Sequence, residues 1–312
     1  MANIPGTELD VYPLNLGTNI FGYTADKAAS FEIMDRYAEA GGNFIDTADS
    51  YSVWAPGNVG GESETIIGQW LSQRGNRDDI VIATKVGALP ELKGLSAKTV
   101  KAAAEASLNR LGTDRIDLYW AHFDQPEIPV EETLGAFTDL VREGKVRYVG
   151  ASNLSGERIT QSLAASDRDG LARYVALQPK YNLMDRKDYE SEYAPIAAKE
   201  NLAVFPYYGL ARGFLTGKYR GREGDGGDSH RASSASAYYD ERGQRVLAVL
   251  DDISAAHDVP VASVALAWLR QQPNVVAPIA SARKPEQLPA LIQSVTLELS
   301  PDELAKLTEA SS

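Results

Sequence analysis

The chain alternates short apolar segments with longer segments of helical periodicity, and it does so about eight times. The predicted strands are Leu14–Gly17, Asn43–Ile45, Ile80–Lys85, Ile116–His122, Val146–Ser152, Tyr174–Gln178, Ala203–Tyr207 and Val275–Ile279. The predicted helices are Ala25–Ala40, Glu62–Gln73, Ser96–Leu111, Val130–Glu143, Ser155–Ala165, Asp188–Glu200, Tyr239–His257, Val261–Gln271 and Pro285–Gln293. This alternation is typical of a parallel sheet covered by helices.

About eight such units in 312 residues favour a (β/α)8 TIM barrel over an open sheet. An open sheet that binds a dinucleotide would be expected to carry GxGxxG after its first strand, and the sequence has no such motif. We therefore predict an α/β protein with a single barrel domain over residues 1–312. Its site is expected at the C-terminal ends of the strands.

Two segments fall outside the repeating units. Residues 1–13 precede the first barrel strand and are predicted to form a short strand or hairpin that caps the bottom of the barrel. Residues 221–237 are rich in Gly and Ser and lack apolar periodicity, which predicts a long loop after the seventh strand. At this face of a barrel we expect such a loop to cover a ligand.

Charge and composition exclude several classes of protein. The net charge of −12 disfavours nucleic-acid and acidic membrane partners. The absence of cysteine excludes disulfides and thiolate chemistry, and three scattered histidines make a metal site improbable. The N-terminus lacks a signal-peptide pattern, and the longest apolar stretch, Val259 to Leu269, is too short to span a bilayer. A cytoplasmic protein is therefore expected.

Polar residues follow three neighbouring predicted strands. Asp46 follows the second strand and Tyr51 comes five residues later, while Lys85 and His122 end the third and fourth strands. An ammonium next to a phenol lowers its pKa from about 10, so Tyr51 could act as a general acid. Asp46 and Lys85 could also form a purely structural ion pair.

Seven segments resemble those of the aldo-keto reductases and follow the order found in that family. They are GGNFIDTADSY (41–51), VIATKVG (81–87), RIDLYWAHFD (115–124), VRYVGASN (146–153), LQPKYNL (177–183), FPYYGLARGFLTGKY (205–219) and PIASARKPEQL (278–288). The resemblance implies reduction of an aldehyde or ketone with NADPH. It also implies that Tyr51 donates the proton, that Lys85 and Asp46 tune its pKa, and that His122 orients the carbonyl.

The same resemblance implies the cofactor contacts. The implied residues are Gly17, Thr18, Asn19 and Asp46 at the nicotinamide ribose; Ser152, Asn153 and Gln178 at the carboxamide; Tyr207 stacked on the nicotinamide; Tyr208, Leu210, Arg212 and Lys218 at the pyrophosphate; and Arg231, Ser281, Arg283 and Gln287 at the adenosine and its 2′-phosphate. Ala290 and Leu291 replace a Glu-Asn pair that often holds the adenine in the family, and Tyr208-Gly209 replaces a common Ser-Pro.

The substrate is less constrained than the chemistry. Five aromatic residues, Phe21, Tyr23, Trp54, Trp120 and Phe123, could line an apolar pocket or pack at its rim. Sugars, aliphatic aldehydes and polyketide-like ketones all fit such a pocket. Two other functions are compatible with parts of the pattern. One is a cofactor-sensing regulatory subunit with low turnover, bound to another protein. The other is a lyase that forms a Schiff base at Lys85. The four candidate catalytic residues together favour the reductase.

Overall fold

A computed structural model describes residues 1–220 and 232–312 of the protein. Eight of its strands form one parallel sheet in the order β10-β3-β4-β5-β6-β7-β8-β9. The strands are β3 (Asn15–Gly17), β4 (Phe44–Asp46), β5 (Val81–Val86), β6 (Ile116–Ala121), β7 (Val146–Ser152), β8 (Tyr174–Gln178), β9 (Ala203–Val204) and β10 (Ile279–Ala280). Each of the eight predicted strand–helix units therefore contributes one strand to the sheet.

Backbone hydrogen bonds join the two ends of this sheet. The Val204 N–H donates to the Asn274 carbonyl oxygen at 2.9 Å, and the Val276 N–H donates to the Val204 carbonyl oxygen at 3.0 Å. The Ile279 N–H donates to the Pro206 carbonyl oxygen at 2.9 Å. Because these bonds connect β9 with the segment that leads into β10, the sheet curls around and fits a (β/α)8 barrel.

Helices follow the strands and pack on the outside of the sheet. They are α1 (Lys27–Glu39), α2 (Glu62–Arg74), α3 (Ala97–Leu111), α4 (Val130–Arg142), α5 (Gly156–Asp169), α6 (Ala194–Glu200), α7 (Ala232–Ser236), α8 (Glu241–His257), α9 (Val261–Arg270), α10 (Leu288–Ile292) and α11 (Pro301–Ala310). A π-helical turn at Tyr189–Tyr193 leads into α6. Within the described ranges, no helix combines the length and apolar character needed to cross a membrane.

The segment before the barrel forms an antiparallel hairpin of β1 (Ala2–Asn3) and β2 (Asp10–Val11). The side chains of Ile4 and Val11 are fully buried and belong to the same apolar cluster as Phe44, at the start of β4. The hairpin therefore covers the N-terminal end of the barrel interior, which leaves the C-terminal end as the open face.

Four elements differ from the predictions. Strand β10 begins only at Ile279, after Pro278, which has no N–H to donate, so the predicted strand Val275–Ile279 is wrong except at its last residue. Strand β9 ends earlier than predicted, before Pro206, which has no N–H to continue a ladder. Part of the predicted loop at 221–237 is helical, because Ala232–Ser236 form α7, whereas 221–231 lie outside the described residues. Helix α11 was not predicted, although Ser300 and Glu303 form a capping box at its start.

Candidate active site

A cleft of about 700 Å³ lies where the C-terminal ends of the strands meet. Strand residues reach it from both halves of the barrel, including Gly17 of β3, Asp46 of β4, Ser152 of β7 and Gln178 of β8. Longer segments that follow the strands complete its walls. The arrangement is the one that parallel barrels produce, because the carboxyl ends of all their strands converge at one face.

Three of the four candidate catalytic residues form one hydrogen-bonded group. The Lys85 ammonium donates to the Asp46 carboxylate, to the Thr47 carbonyl oxygen at 2.6 Å and to the Tyr51 hydroxyl at 2.9 Å. The Tyr51 hydroxyl lies 3.4 Å from Oδ2 of Asp46. Lys85 and Asp46 are fully buried. Asp46 and Tyr51 belong to the described lining of the cleft, whereas Lys85 does not. All three ammonium protons of Lys85 are therefore engaged.

The protonation of Tyr51 differs from the sequence-based expectation. Burial, followed by the adjacent Asp46 carboxylate, raises the pKa of Tyr51 well above its ordinary value. Burial also lowers the pKa of Lys85, although the Asp46 carboxylate opposes this effect. The net lowering of the Tyr51 pKa expected from Lys85 is therefore not found, because burial and the Asp46 carboxylate outweigh the effect of the ammonium. Tyr51 consequently holds its proton throughout the physiological range.

His122 lies beside Tyr51 at the same cleft. The two ring centroids are 6.2 Å apart, and the His122 ring stacks on Phe123 with centroids 4.6 Å apart. Burial, and secondarily the charge of Lys85, lowers the pKa of His122 well below its ordinary value. The imidazole is therefore neutral and can donate one hydrogen bond without adding positive charge.

A network of amides and hydroxyls continues from this group across the floor of the cleft. The Gln178 side-chain NH2 donates to Asp46 at 2.9 Å, and the Asn153 side-chain NH2 donates to the His122 carbonyl oxygen at 2.9 Å. The Tyr207 hydroxyl donates to the Asn153 side-chain oxygen at 2.7 Å. Asn153 has a left-handed backbone with a φ of 53°. Because these side chains bond one another, their positions are fixed before any ligand arrives.

The opposite part of the cleft is cationic. Arg212, Lys218 and Arg283 line it, and within the described residues none of the three has an ion-pair partner. Arg212 lies 5.0 Å from the centroid of the Tyr208 ring. In a chain with a net charge of −12, three cleft-lining cations that lack carboxylate partners among the described residues favour an anionic ligand.

The segment that carries Arg212 has an unusual backbone. Tyr208, Ala211 and Arg212 have φ values of 56°, 46° and 59°, in the left-handed region that non-glycine residues rarely adopt. Such conformations cost on the order of 1–3 kcal/mol each and persist where surrounding contacts impose them. Gly209 lies close to helix α9, since a Cβ there would stand 3.1 Å from the Leu266 side chain. A strained backbone segment therefore contributes Tyr208 and Arg212 to the cleft lining.

Most of the predicted cofactor contacts lie on the cleft. They are Gly17, Asn19, Asp46, Ser152, Asn153, Gln178, Tyr207, Tyr208, Leu210, Arg212, Lys218, Ser281, Arg283 and Gln287. Their roles toward a cofactor stay predictions. Arg231 lies outside the described residues.

Two of the predicted contacts have structural roles. Thr18 is fully buried, and its hydroxyl donates to the Asp46 carbonyl oxygen at 2.9 Å and accepts from Ser63 at 2.8 Å. It supports the strand ends from behind and does not belong to the described lining of the cleft, so its contact with a cofactor stays a prediction. Gln287 reaches the cleft, but its side-chain oxygen accepts the Arg283 N–H at 2.8 Å and so fixes the backbone there.

The predicted substrate residues divide into two groups. Trp54 and Phe123 line the cleft and are 52% and 49% exposed. Phe21 and Trp120 are fully buried in the apolar core and do not belong to the described lining, which favours the packing alternative for these two residues. Tyr23 is 36% exposed but does not belong to the described lining.

Sequence reasoning missed several smaller lining residues. Examples are Ile20, Thr24, Val53, Ala88 and Thr216. They lie on irregular segments between strands and helices, where neither periodicity nor a charged group distinguishes them. Of these residues, only Val53 could have been predicted from the sequence, because it lies between the candidate residues Tyr51 and Trp54.

Comparison with known proteins identifies the family. Residues 13–312 match the model of the aldo/keto reductase family, and the chain belongs to that family. The protein is 33% identical to Protein tas of Escherichia coli K12, over 97% of this chain and 95% of that protein. It is 31% identical to norsolorinic acid reductase B of Aspergillus parasiticus, over 98% and 82% of the two chains. It is 29% identical to the aryl-alcohol dehydrogenase GME11368 of Pestalotiopsis microspora, over 97% and 79%.

Proposed function

We propose that this protein is an NADPH-dependent reductase of aldehydes or ketones in which Tyr51 is the general acid. One observation carries the proposal. The Tyr51 hydroxyl, held by Lys85 and Asp46, faces the same cleft as three cations without ion-pair partners in the described chain. A proton donor and an anion-binding wall in one cleft are what reduction with an anionic dinucleotide requires.

The residues present fit a dinucleotide phosphate. Arg212 lies in the strained turn and Lys218 follows it, and both suit the pyrophosphate. Arg283 lies near Ser281, which donates to Asn19 at 3.2 Å. Guanidinium groups bind phosphate by paired, charge-assisted hydrogen bonds, which makes Arg283 the candidate for a 2′-phosphate. When bound, the cofactor supplies the hydride that reaches the carbonyl carbon.

The chain then has to deliver a proton to the carbonyl oxygen. Tyr51 is protonated and donates it, which leaves a phenolate 2.9 Å from the Lys85 ammonium. The ammonium stabilises that negative charge as it forms, because the buried site excludes water that would screen it. The neutral imidazole of His122 donates a hydrogen bond to the same oxygen and fixes its direction. Solvent finally returns a proton to Tyr51.

The substrate side of the cleft favours a neutral, flat carbonyl compound. Val53, Trp54 and Phe123 line it, and the three cations of the described lining lie on the separate segments 208–218 and 281–283. Two half-exposed aromatic rings bind another ring better than a polyhydroxylated chain. The similarity to an aryl-alcohol dehydrogenase supports an aromatic carbonyl.

The alternative functions are less well supported. A Schiff base at Lys85 would require a free amine that faces the cleft. Lys85 is fully buried, donates three hydrogen bonds and does not belong to the described lining. A regulatory subunit with low turnover would bind NADPH equally well, so turnover distinguishes it from the reductase.

The Tyr51→Phe variant tests the general acid. It keeps the ring but removes the proton, so kcat for NADPH-dependent reduction of 4-nitrobenzaldehyde should fall at least ~100-fold. NADPH affinity, measured by titration, should hardly change. Tyr148→Phe, at the other end of the barrel, serves as the control and should keep full activity. Retention of most activity by Tyr51→Phe would show that another group donates the proton.

The Arg283→Ala variant tests the cofactor preference. Loss of a charge-assisted hydrogen bond of roughly 1.5–3 kcal/mol should weaken NADPH binding about tenfold or more, with a much smaller effect on NADH. Lys284→Ala removes the same charge one residue away, outside the described lining, and is the matched control. Equal weakening of both cofactors would rule out Arg283 as the 2′-phosphate ligand.

A further inference from the structure

The turn between Asp46 and Tyr51 contains a second aspartate, Asp49, which the proposed reaction does not use. Asp49 is fully buried, and apart from the adjacent Ser50 backbone N–H, which acts to lower its pKa, its carboxylate oxygens have no hydrogen-bond partner in the described part of the chain. Its backbone N–H donates to the Lys85 carbonyl oxygen at 3.3 Å, so the residue is held against the end of β5. A buried carboxyl without partners is costly and calls for an explanation.

Charged and titratable groups from four elements surround Asp49. They are Glu64 of α2, Arg110 of α3, Lys85 of β5 and Tyr119 of β6. Glu64 is buried and accepts from Thr84 at 2.5 Å and from Arg110 at 2.6 Å. The hydroxyl of Tyr119 is buried and, among the described atoms, unpartnered.

The charges in this cluster do not cancel when Asp49 is ionised. Arg110 pairs with Glu64 and Lys85 pairs with Asp46, which leaves Asp49 without a counter-charge of its own. Burial, followed by the Glu64 carboxylate, raises the pKa of Asp49 to about 7, against the opposing charges of Arg110 and Lys85. The buried cluster therefore gains or loses one unit of negative charge near neutral pH.

We propose that Asp49 is a positioning residue whose protonation sets the charge behind Lys85 and thereby the ease with which Tyr51 gives up its proton. The inference rests on the proposed function. A protonated Asp49 leaves the Lys85 charge free to stabilise the Tyr51 phenolate. An ionised Asp49 competes for that charge and disfavours the phenolate. Reduction is consequently faster with Asp49 protonated.

The first test compares pH profiles of kcat for 4-nitrobenzaldehyde reduction at saturating NADPH. In the unmodified protein kcat should fall as pH rises through about 7. Asp49→Asn keeps the shape and removes the titration, so it should lose this fall and exceed the unmodified protein several-fold at pH 8. Asp114→Asn, a surface control 89% exposed, should keep the original profile. An unchanged fall in Asp49→Asn would overturn the proposal.

A second variant sharpens the assignment. Glu64→Gln removes the like charge that faces Asp49, so the fall in kcat should move to lower pH. A fall that stays in place would contradict the charge cluster. If Asp49→Asn does not fold, Asp49→Ala makes the same prediction, because it also removes the titrating group.

The third test does not depend on activity. The unfolding free energy of the unmodified protein, relative to Asp49→Asn, should decrease as pH rises from about 5 to 8. If neither the unmodified protein nor its variants oxidise NADPH, the proposed reaction is wrong. The comparison of unfolding free energies then tests the titration of Asp49 without relying on activity. A difference that does not vary with pH would show that Asp49 does not titrate near neutrality and would overturn the inference.

Discussion

Two buried aspartates, Asp49 and Asp117, lie near opposite ends of the barrel strands and have opposite surroundings. Asp117 is the second residue of β6 and is 2% exposed. It accepts from Arg77 at 2.8 Å, from Arg147 at 3.2 Å and from the Ile82 N–H at 2.9 Å. Asp49 is as deeply buried but, within the described chain, its carboxylate has no arginine or lysine that hydrogen-bonds it, and only the adjacent Ser50 backbone acts to lower its pKa by a hydrogen bond.

The difference shows how the barrel separates stability from chemistry. At the N-terminal end, a buried charge is fully compensated and links β5, β6 and β7 through one carboxylate. At the C-terminal end, a carboxyl of the same type is left uncompensated beside the residues that carry the proposed reaction. This matches the general division in TIM barrels between a stabilising bottom face and a functional top face.

The largest expected effect on stability comes from Asp117→Asn. The substitution leaves Arg77, which is mostly buried, without its counter-charge, and breaking such a pair typically costs about 3–5 kcal/mol. Urea denaturation should show this loss in the unfolding free energy. Asp114→Asn, on the exposed surface, should change it by less than about 0.5 kcal/mol. Equal stability of the two variants would contradict a stabilising role for the Asp117 cluster.

Asp49→Asn should act in the opposite direction. The pKa of Asp49 is raised in the folded protein, to about 7 from an ordinary 3.8, so the folded state binds more protons than the unfolded state between these values. Stability therefore falls as pH rises through this window, and the neutral variant avoids the loss. At pH 8 its unfolding free energy should exceed that of the unmodified protein by on the order of 4 kcal/mol. If Asp49→Asn is less stable than the unmodified protein at pH 8, the Asp49 carboxylate is stabilised by its surroundings, which would contradict this prediction.

The smallest effect is expected for Arg147→Met. The Arg147 side chain is 35% exposed and is the weaker of the two arginine partners that hydrogen-bond Asp117. Partly exposed ion pairs contribute about 1 kcal/mol or less, and Arg77 still compensates the carboxylate. The unfolding free energy should drop by no more than this amount in the same urea experiment. A loss as large as that of Asp117→Asn would mean that the two arginines act as one unit.

The sequence predicted the barrel and the candidate catalytic residues because both depend on local pattern. Strand ends converge by geometry, so Asp46, Lys85 and His122 could be brought together without knowledge of the packing. Trp120 illustrates what pattern leaves out. Trp120 lies on β6, two residues before His122, which directly follows that strand. Both side chains are therefore expected on the same side of the strand. The distance of two residues along the strand is nevertheless enough to separate the barrel core from the cleft. Trp120 packs against Phe205 in the core, whereas His122 lines the cleft.

The charge state of the site also depended on packing. Tyr51 and Lys85 are close, as predicted, but burial and Asp46 reverse the expected direction of the Tyr51 pKa shift. Asp49 was not singled out, because nothing in its sequence position shows that it would be buried without partners. Desolvation is a property of the assembled fold, so local sequence signals do not report it.

The unequal burial of the four tryptophans gives the protein an optical probe at its mouth. Trp70, Trp120 and Trp268 are at most 1% exposed, whereas Trp54 is 52% exposed beside Tyr51. A soluble quencher such as iodide therefore reaches Trp54 far more readily than the other three indoles. Any ligand that covers the aromatic side of the cleft will shield that fluorophore, so occupancy can be followed by emission even for compounds that are never turned over.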